Sequence, residues 1–328
     1  MTGAVMTRKR VDSGISGVLV IDKPEGWTSH DVVAKTRGLL GTRKVGHTGT
    51  LDPLGTGVLP ICVGDATKVA GIAQNADKTY RVSMRLGVAT DTQDSTGTVA
   101  ATADLTPGVD WETLVRTALD AKMGPQDQIP PMYAAIKVDG EPLYKKARRG
   151  ETVERKARRI IIHDIRDVEV ALPEVHFTVA CTKGTYVRTL AADVGDALGI
   201  GAHMTALRRL VCGPTTLEGA VTIAELEAAA QGGTAADLLH GEDYLLSDLP
   251  LITVSEYTAR RMVQGIAPHV AEWFANAPGG HSAPAACVAP GTLCRVYGES
   301  RGFFALVEMG SDPARPARIR RIVKTGTV

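Results

Sequence analysis

The run Lys44-Val-Gly-His-Thr-Gly-Thr-Leu-Asp-Pro-Leu-Gly-Thr-Gly-Val-Leu-Pro60 sets one carboxylate and one imidazole among glycines, between two apolar arms. Asp52 is the only carboxylate between Asp31 and Asp65. It precedes Pro53, whose ring disfavours the α conformation for the residue before it, so the acid is held on a turn or extended chain. The neighbouring glycines clear β-carbons and let a bulky ligand approach the backbone. Two readings fit: a solvated Asp in a Gly/Pro turn, or a nucleophilic carboxylate offered to a substrate. His47, five residues earlier, is a candidate base.

Two further segments carry reactive side chains. In Lys183-Gly-Thr-Tyr-Val-Arg188 an extended backbone puts Tyr186 and Arg188 on the same side. An arginine beside Asp52 would hold it ionised, because a nearby opposite charge lowers a carboxylate pKa. A tyrosine in a strand and an arginine at a helix start also have ordinary structural uses. The stretch Tyr144 to Arg159 carries Lys145, Lys146, Arg148, Arg149, Arg155, Lys156, Arg158 and Arg159 against only Glu151 and Glu154. That density suits phosphate groups, although a solvated face would look the same. A second cluster, Arg315, Arg318, Arg320, Arg321 and Lys324, has no acid among its members. Two basic patches in two regions favour an extended polyanion over a small molecule.

The elements that must position these groups can be read from periodicity. Gly17 to Asp22 reads as a buried strand, and Ser29 as the cap of a helix ending near Leu40 with Gly41 as its stop. Tyr80, Val82, Met84 and Leu86 alternate with polar residues in a half-buried strand, with Tyr80 at its start. Val175 to Cys181 alternates again, then a helix follows from about Arg188, with Leu190, Val194 and Leu198 four apart. Successive strands around residues 160–181 argue for a mixed sheet rather than a regular parallel one. The composition shifts near residues 231–250, ahead of short strands at 293–297 and 303–308. An Ala/Gly/Pro/Ser-rich loop covers 276–291.

Composition sets outer bounds. The 328 residues, 44% of them hydrophobic, suffice for two domains. With 37 basic and 36 acidic residues, global charge says nothing about a polyanionic partner. Five scattered cysteines without a C-x-x-C pair indicate neither a disulfide framework nor zinc. No apolar run approaches a membrane span, and the reading is a cytoplasmic protein with no membrane partner.

Taken in order, Asp22-Lys-Pro-Glu-Gly26, the Lys44 to Pro53 run, Gly64-Asp-Ala-Thr-Lys68, Lys78-Thr-Tyr80, Thr90-Asp-Thr92, Gln128-Ile-Pro-Pro-Met-Tyr-Ala-Ala-Ile-Lys137, Gly184-Thr-Tyr-Val-Arg188 and Ala206-Leu-Arg-Arg209 resemble the TruB family of tRNA pseudouridine synthases. The last 80 or so residues resemble a PUA domain, through Leu249-Pro-Leu, Gly265 after a helical stretch, and the closing basic strand. The resemblance implies an α+β fold, with a mixed, largely antiparallel sheet flanked by helices and a small all-β PUA-like domain. It divides the chain into a flexible tail (1–15), a catalytic domain (16–248) and an RNA-binding domain (249–328).

For the chemistry, the resemblance implies isomerisation of uridine 55 in the tRNA T-loop, with Asp52 attacking a flipped-out nucleotide at C6 or C1′. Tyr80 would stack on the uracil, Arg188 would pair with Asp52, and Tyr186 would lie beside it. His47 would fill the space the base leaves, a role in RNA conformation rather than acid–base chemistry. Lys23, Lys137 and Leu207 match substrate-binding positions, and Arg208 and Arg209 join the phosphate-binding set. The resemblance implies no cofactor and no metal. The partner would be tRNA, held by its T arm, with the acceptor stem as a target for the C-terminal module. The chain would act as a monomer with no obligate protein partner. An RNA-folding protein with secondary isomerase activity and a guide-RNA-dependent relative are the alternatives. Gly55 stands where the family often has Ala, and the 276–291 loop is longer than a compact PUA module needs.

Overall fold

In the computed structural model, which describes residues 14–134, 136–138, 140–151, 153–268, 289–310 and 317–323, the alternation seen around Tyr80 becomes a strand with one buried face. Chain order begins β1 (Gly17–Lys23), α1 (Ser29–Leu40), β2 (Val45–His47), β3 (Gly55–Val63), α2 (Ala70–Ala73) and β4 (Lys78–Leu86). A hairpin, β5 (Val88–Thr90) with β6 (Val99–Thr102), leads to α3 (Trp111–Asp120) and β7 (Gly124–Gln128). An insertion holds β8 (Lys137–Val138), β9 (Glu141–Pro142) and α4 (Leu143–Arg148). Then come β10 (Arg158–Ala171), β11 (Glu174–Cys181), α5 (Val187–Ala197), β12 (Ala202–Cys212), β13 (Thr215–Thr216) and α6 (Ile223–Gly232). The chain closes with β14 (Leu251–Val254), α7 (Glu256–Val263), β15 (Leu293–Gly298), β16 (Gly302–Glu308) and β17 (Arg318–Ile322).

The main sheet runs β1-β3-β12-β4-β11-β10-β7, with β2 beside β3 and β13 beside β12. Only β12 against β3 is parallel within it, so the mixed, largely antiparallel sheet is as expected. Its registers gather the site: Leu207 on β12 stands opposite both Val82 of β4 and Gly55 of β3, three residues past Asp52. Arg209 stands opposite Tyr80 and Gly57. Gly57 has φ +96, and a β-carbon there would lie 2.2 Å from the Arg209 carbonyl. The close approach of β3 to β12 therefore requires glycine at 57. At Gly55 φ is ordinary and the nearest atom to an added β-carbon is 3.3 Å away. Alanine would press only lightly there.

Helix α1 begins at Ser29, its expected cap, so the true cap lies one residue earlier. Thr28 is the N-cap, in a capping box with Asp31, and Gly41 closes the helix at φ +64. Ser29 is instead buried inside the first turn, where its hydroxyl accepts from the Leu51 N–H (2.8 Å) and donates to the Leu51 carbonyl (3.1 Å). The hydroxyl thus pins the loop that carries Asp52. Ser29→Ala leaves both groups unpaired, and a loss of about 1–3 kcal/mol in denaturant unfolding is expected.

The smaller sheet runs β14-β15-β16-β17. It is not all-β, because Thr258, Ala259 and Met262 fall on one buried face of α7, which Ser255 caps. It has a core of its own, with Ile252, Val254, Val296, Phe304 and Val307 packed against Ala259 and Met262 of α7, while Phe303, Leu306 and Val323 pack with Val18, Val58, Cys62, Leu245 and Leu246 of the larger body. Arg295 adds a 2.7 Å ion pair to Asp243. Arg318, Arg320 and Arg321 lie on β17, with Arg320 paired to Glu308 at 2.9 Å. Arg315, Lys324, Cys287, tail residues 1–13 and loop residues 276–288 lie outside the described residues. Among the described residues no helix is long and apolar enough to cross a membrane.

Candidate active site

The Asp52 loop is tied down from below. The Asp52 carbonyl accepts from Gly55 N–H and the Pro53 carbonyl from Gly26 N–H, both at 2.9 Å. Beneath lies Lys23, fully buried, its ammonium donating to the carbonyls of Pro24 (2.9 Å), Trp27 (2.5 Å) and Pro53 (3.4 Å). Burial lowers its pKa to about 8. Lys23, expected to bind substrate, thus stands under the loop with its ammonium on three backbone carbonyls.

Asp52 opens onto a cavity of about 620 Å³ lined by His47, Lys78, Tyr80, Arg158, Lys183, Tyr186, Arg188, Leu207 and Arg209. The reactive groups read from sequence converge there although they stand on different elements. The carboxylate meets Arg188, whose Nη2 lies 3.0 Å from Asp52 Oδ2 and donates to the Tyr133 carbonyl at 2.6 Å. Its Nη1 lies 3.3 Å from Asp94 Oδ2. Arg188 is 5% exposed and the Asp52 side chain 41%. Asp94 is in turn buried and fixed, accepting from the hydroxyls of Thr92 (2.7 Å) and Thr96 (2.5 Å) and from the Thr96 N–H (3.0 Å).

One guanidinium thus serves two carboxylates, which changes the expected electrostatics. Crowding by the surrounding protein raises the Asp52 pKa above its ordinary 3.8, and Asp94 pushes the same way. Arg188, and more weakly Lys23, pull down without winning. Arg188 orients and partly neutralises Asp52, but does not lower its pKa overall. Activity that needs the carboxylate is expected to fade, as pH falls, at a pH above that of a free aspartate. A pH–rate profile checks this, and an acid limb at or below pH 4 would contradict it.

Tyr80 is 8% exposed, and burial pushes its phenol up to about 12 against the pull of Arg209. It remains protonated at neutral pH. Tyr186 flanks Arg188, the guanidinium lying 6.0 Å from the ring centre. His47 lies edge-on to His30 at 5.5 Å, with Nδ1 buried and unpartnered. Its pKa falls to about 4 through burial and the charges of His30 and Arg209. The imidazole is neutral at physiological pH and a weak base, which fits a space-filling role better than that of a proton donor.

The cationic set divides. Arg158 lines the cavity, and Lys145, Lys156 and Arg159 are exposed, with Arg159 3.6 Å from Asp127. Arg149 is held by Glu141 (2.7 Å) and Glu151 (2.6 Å), and Arg155 donates to the Pro130 carbonyl. Lys146 is half-buried. Arg208 makes a two-pronged contact with Asp22 (2.7 and 3.2 Å). Arg209, 1% exposed, donates to the Val58 and Gly49 carbonyls, so it braces the cavity wall instead of presenting an open cation. Lys137 stands in β8 and Arg148 at the end of α4, and their side chains lie outside the described residues.

Sequence reading missed Asp94, Ser29 and Gln128. Asp94 had a visible signal in Thr90-Asp-Thr-Gln-Asp-Ser-Thr96, where hydroxyls and acids alternate as in Asx and Ser/Thr turns. Among the described residues no group of three or more His, Cys, Asp or Glu is placed to hold a metal.

Residues 37–187 match the TruB family pseudouridylate synthase N-terminal domain, and residues 188–245 match the tRNA pseudouridylate synthase B C-terminal domain. The chain belongs to the TruB family. It is 42% identical over 314 residues to tRNA pseudouridine synthase B of Cupriavidus metallidurans, covering 94% of this chain and 95% of that one. To the protein of that name in Burkholderia mallei it is 48% identical over 260 residues, 79% of this chain and 83% of the other. Among solved structures, a chain in a Cbf5–Nop10–Gar1 complex superposes with a TM-score of 0.71 at 24% identity, covering 95% of this chain and 86% of that one. A chain of an archaeal box H/ACA sRNP Nop10–Cbf5 complex gives 0.70 at 25% identity, covering 95% and 87%. The fold shared with those chains thus extends over both sheets.

Proposed function

We propose that this TruB-family chain is a tRNA pseudouridine synthase that isomerises uridine 55 of the T-loop, with Asp52 as nucleophile. The observation that carries the reading is Asp52 at the mouth of the cavity, 3.0 Å from the Arg188 guanidinium. The relatives named tRNA pseudouridine synthase B support the substrate class.

The cavity wall holds Tyr80 and Leu207 as apolar surfaces for a uracil ring and Lys183 and Arg158 as cations for its backbone. The target base must leave its stack to reach Asp52. Asp52 adds to the nucleotide at C6 or C1′, the N1–C1′ bond breaks, uracil turns, and a C5–C1′ bond forms. The proton on C5 leaves to solvent and N1, freed from the ribose, takes one up as the carboxylate is released, so the reaction is a net isomerisation with no redox change. Tyr80, protonated throughout, offers a stacking face worth about 1–3 kcal/mol for a base. The chain acts alone on free tRNA, with residues 16–248 doing the chemistry and the 249–328 module, PUA-like, gripping RNA.

Because C5 loses its hydrogen, tRNA transcript labelled with tritium at uridine C5 should release it on incubation with the protein. Stoichiometric release, about one equivalent per tRNA, is the expected outcome, and none would contradict the reading. The exposed cations make a separate prediction. Replacing Lys145, Lys156 and Arg158 with Gln should weaken binding and lower the slope of log K against log salt by about one for each phosphate no longer neutralised. Arg149→Gln should alter the slope less, since Glu141 and Glu151 already hold that charge. Equal slopes for all variants would show that this surface does not meet phosphate.

A further inference from the structure

Helix α5 carries Arg188 in its first turn, yet its N-cap, Tyr186, supplies no side-chain hydrogen bond to that turn. A helix start left this way is poorly fixed. The arginine stem does not help, because Arg188 Nε is buried without a partner and only the terminal nitrogens are held. Where the guanidinium sits therefore depends on where the backbone is placed.

Two carboxamides place it. Gln128, 5% exposed at the end of β7, accepts from the Tyr186 N–H at 2.8 Å and donates to the Tyr186 carbonyl at 3.1 Å. Both polar atoms of one buried side chain thus hold both peptide groups of one residue, as a neighbouring strand would. On the other side of Arg188, the Thr189 hydroxyl donates to Gln93 Oε1 at 2.7 Å. Gln93 has φ +65, in the left-handed region that disfavours side chains. Its backbone is held there by bonds to Thr90 (3.1 Å) and Met204 (3.0 Å). It also immediately precedes Asp94, the second carboxylate on Arg188.

We propose that Gln128, with Gln93 as its counterpart, is a positioning residue that fixes the first turn of α5 so that Arg188 spans Asp52 and Asp94. This rests on Asp52 and Arg188 acting as proposed above. A misplacement of about 1 Å at a reacting group costs on the order of 100-fold in rate, so loss of either grip should be felt in turnover.

The test uses two variants of the full chain, Gln128→Met, which keeps length but removes both polar atoms, and Gln93→Gly, which suits the positive φ. At saturating tRNA the rate should fall roughly 10- to 100-fold with KM changed less than about 2-fold. The acid limb of the pH–rate profile should move to higher pH, because among the charges facing Asp52 (Arg188, Asp94 and Lys23) the main opposing cation is displaced. A space-filling role would leave that limb in place. Should Gln128→Met not fold, Gln93→Gly decides alone. Unchanged rate and acid limb, or a rise in KM alone, overturns the proposal. Asp52→Asn run in parallel separates the two layers. If it stays active, the parent reading falls and this proposal with it; if it is inactive while the glutamine variants match wild type, only this proposal falls.

Discussion

Asp52→Asn is expected to abolish pseudouridine formation, by at least roughly 10⁴-fold, while leaving the protein as stable as wild type or more so. The rate loss follows from removing the proposed nucleophile, an effect that the remaining site does not replace. The stability result follows from the raised pKa. A carboxyl group whose folded pKa lies above its unfolded one costs stability once pH exceeds the folded value, and that cost disappears when the group is neutral. Asparagine is neutral at every pH and nearly the same shape. Arg188 keeps Asp94 as its buried partner, so no orphaned charge results. Thermal unfolding at neutral pH together with tritium release checks both halves. A large drop in unfolding temperature would show that Asp52 is structural.

Arg188→Met is expected to behave oppositely, losing turnover and stability together. Asp94 is 5% exposed and Arg188 is its only ion-pair partner among the described residues, so the substitution leaves a charge uncompensated. Breaking a buried pair in this way costs about 3–5 kcal/mol, and the hydroxyls of Thr92 and Thr96 soften that loss only in part. Adding Asp94→Asn to Arg188→Met should restore stability without restoring activity, because it removes the orphaned charge and leaves Asp52 without its cation. A double-mutant cycle in denaturant gives the coupling. Additive losses would mean that the two residues do not depend on one another.

The site was legible in sequence where its parts are local. Asp52 stood out through Pro53 and the bare loop around it, and Tyr80 through the alternation of its strand; the run expected to be extended from Lys183 to Arg188 is instead a turn leading into α5, with Arg188 in the helix's first turn. What could not be read is pairing across distance. Asp94 and Arg188 are 94 residues apart, and they meet only because the loop after β5 and the start of α5 come together above β4 and β12. Counting charges gave a basic stretch, but it could not show that Arg149 is held by two glutamates or that Arg209 is buried among carbonyls. Nor could it show that Lys23, at the end of β1, is buried under the loop with its ammonium on three carbonyls. In the fold, the alternating β4 and β11 were legible and Gly265 marked the helical stretch that is α7, whereas β3, buried along nearly all its length, and β12, broken by register shifts, show no clean alternation.

On the proposed function, Asp52 acts on one uridine of the tRNA T-loop. Mapping pseudouridine after incubating an unmodified tRNA transcript with the purified chain tests it most directly. Modification is predicted at position 55 alone, and absent with Asp52→Asn. Pseudouridine elsewhere, or an Asp52→Asn chain that still forms it at 55, would contradict it.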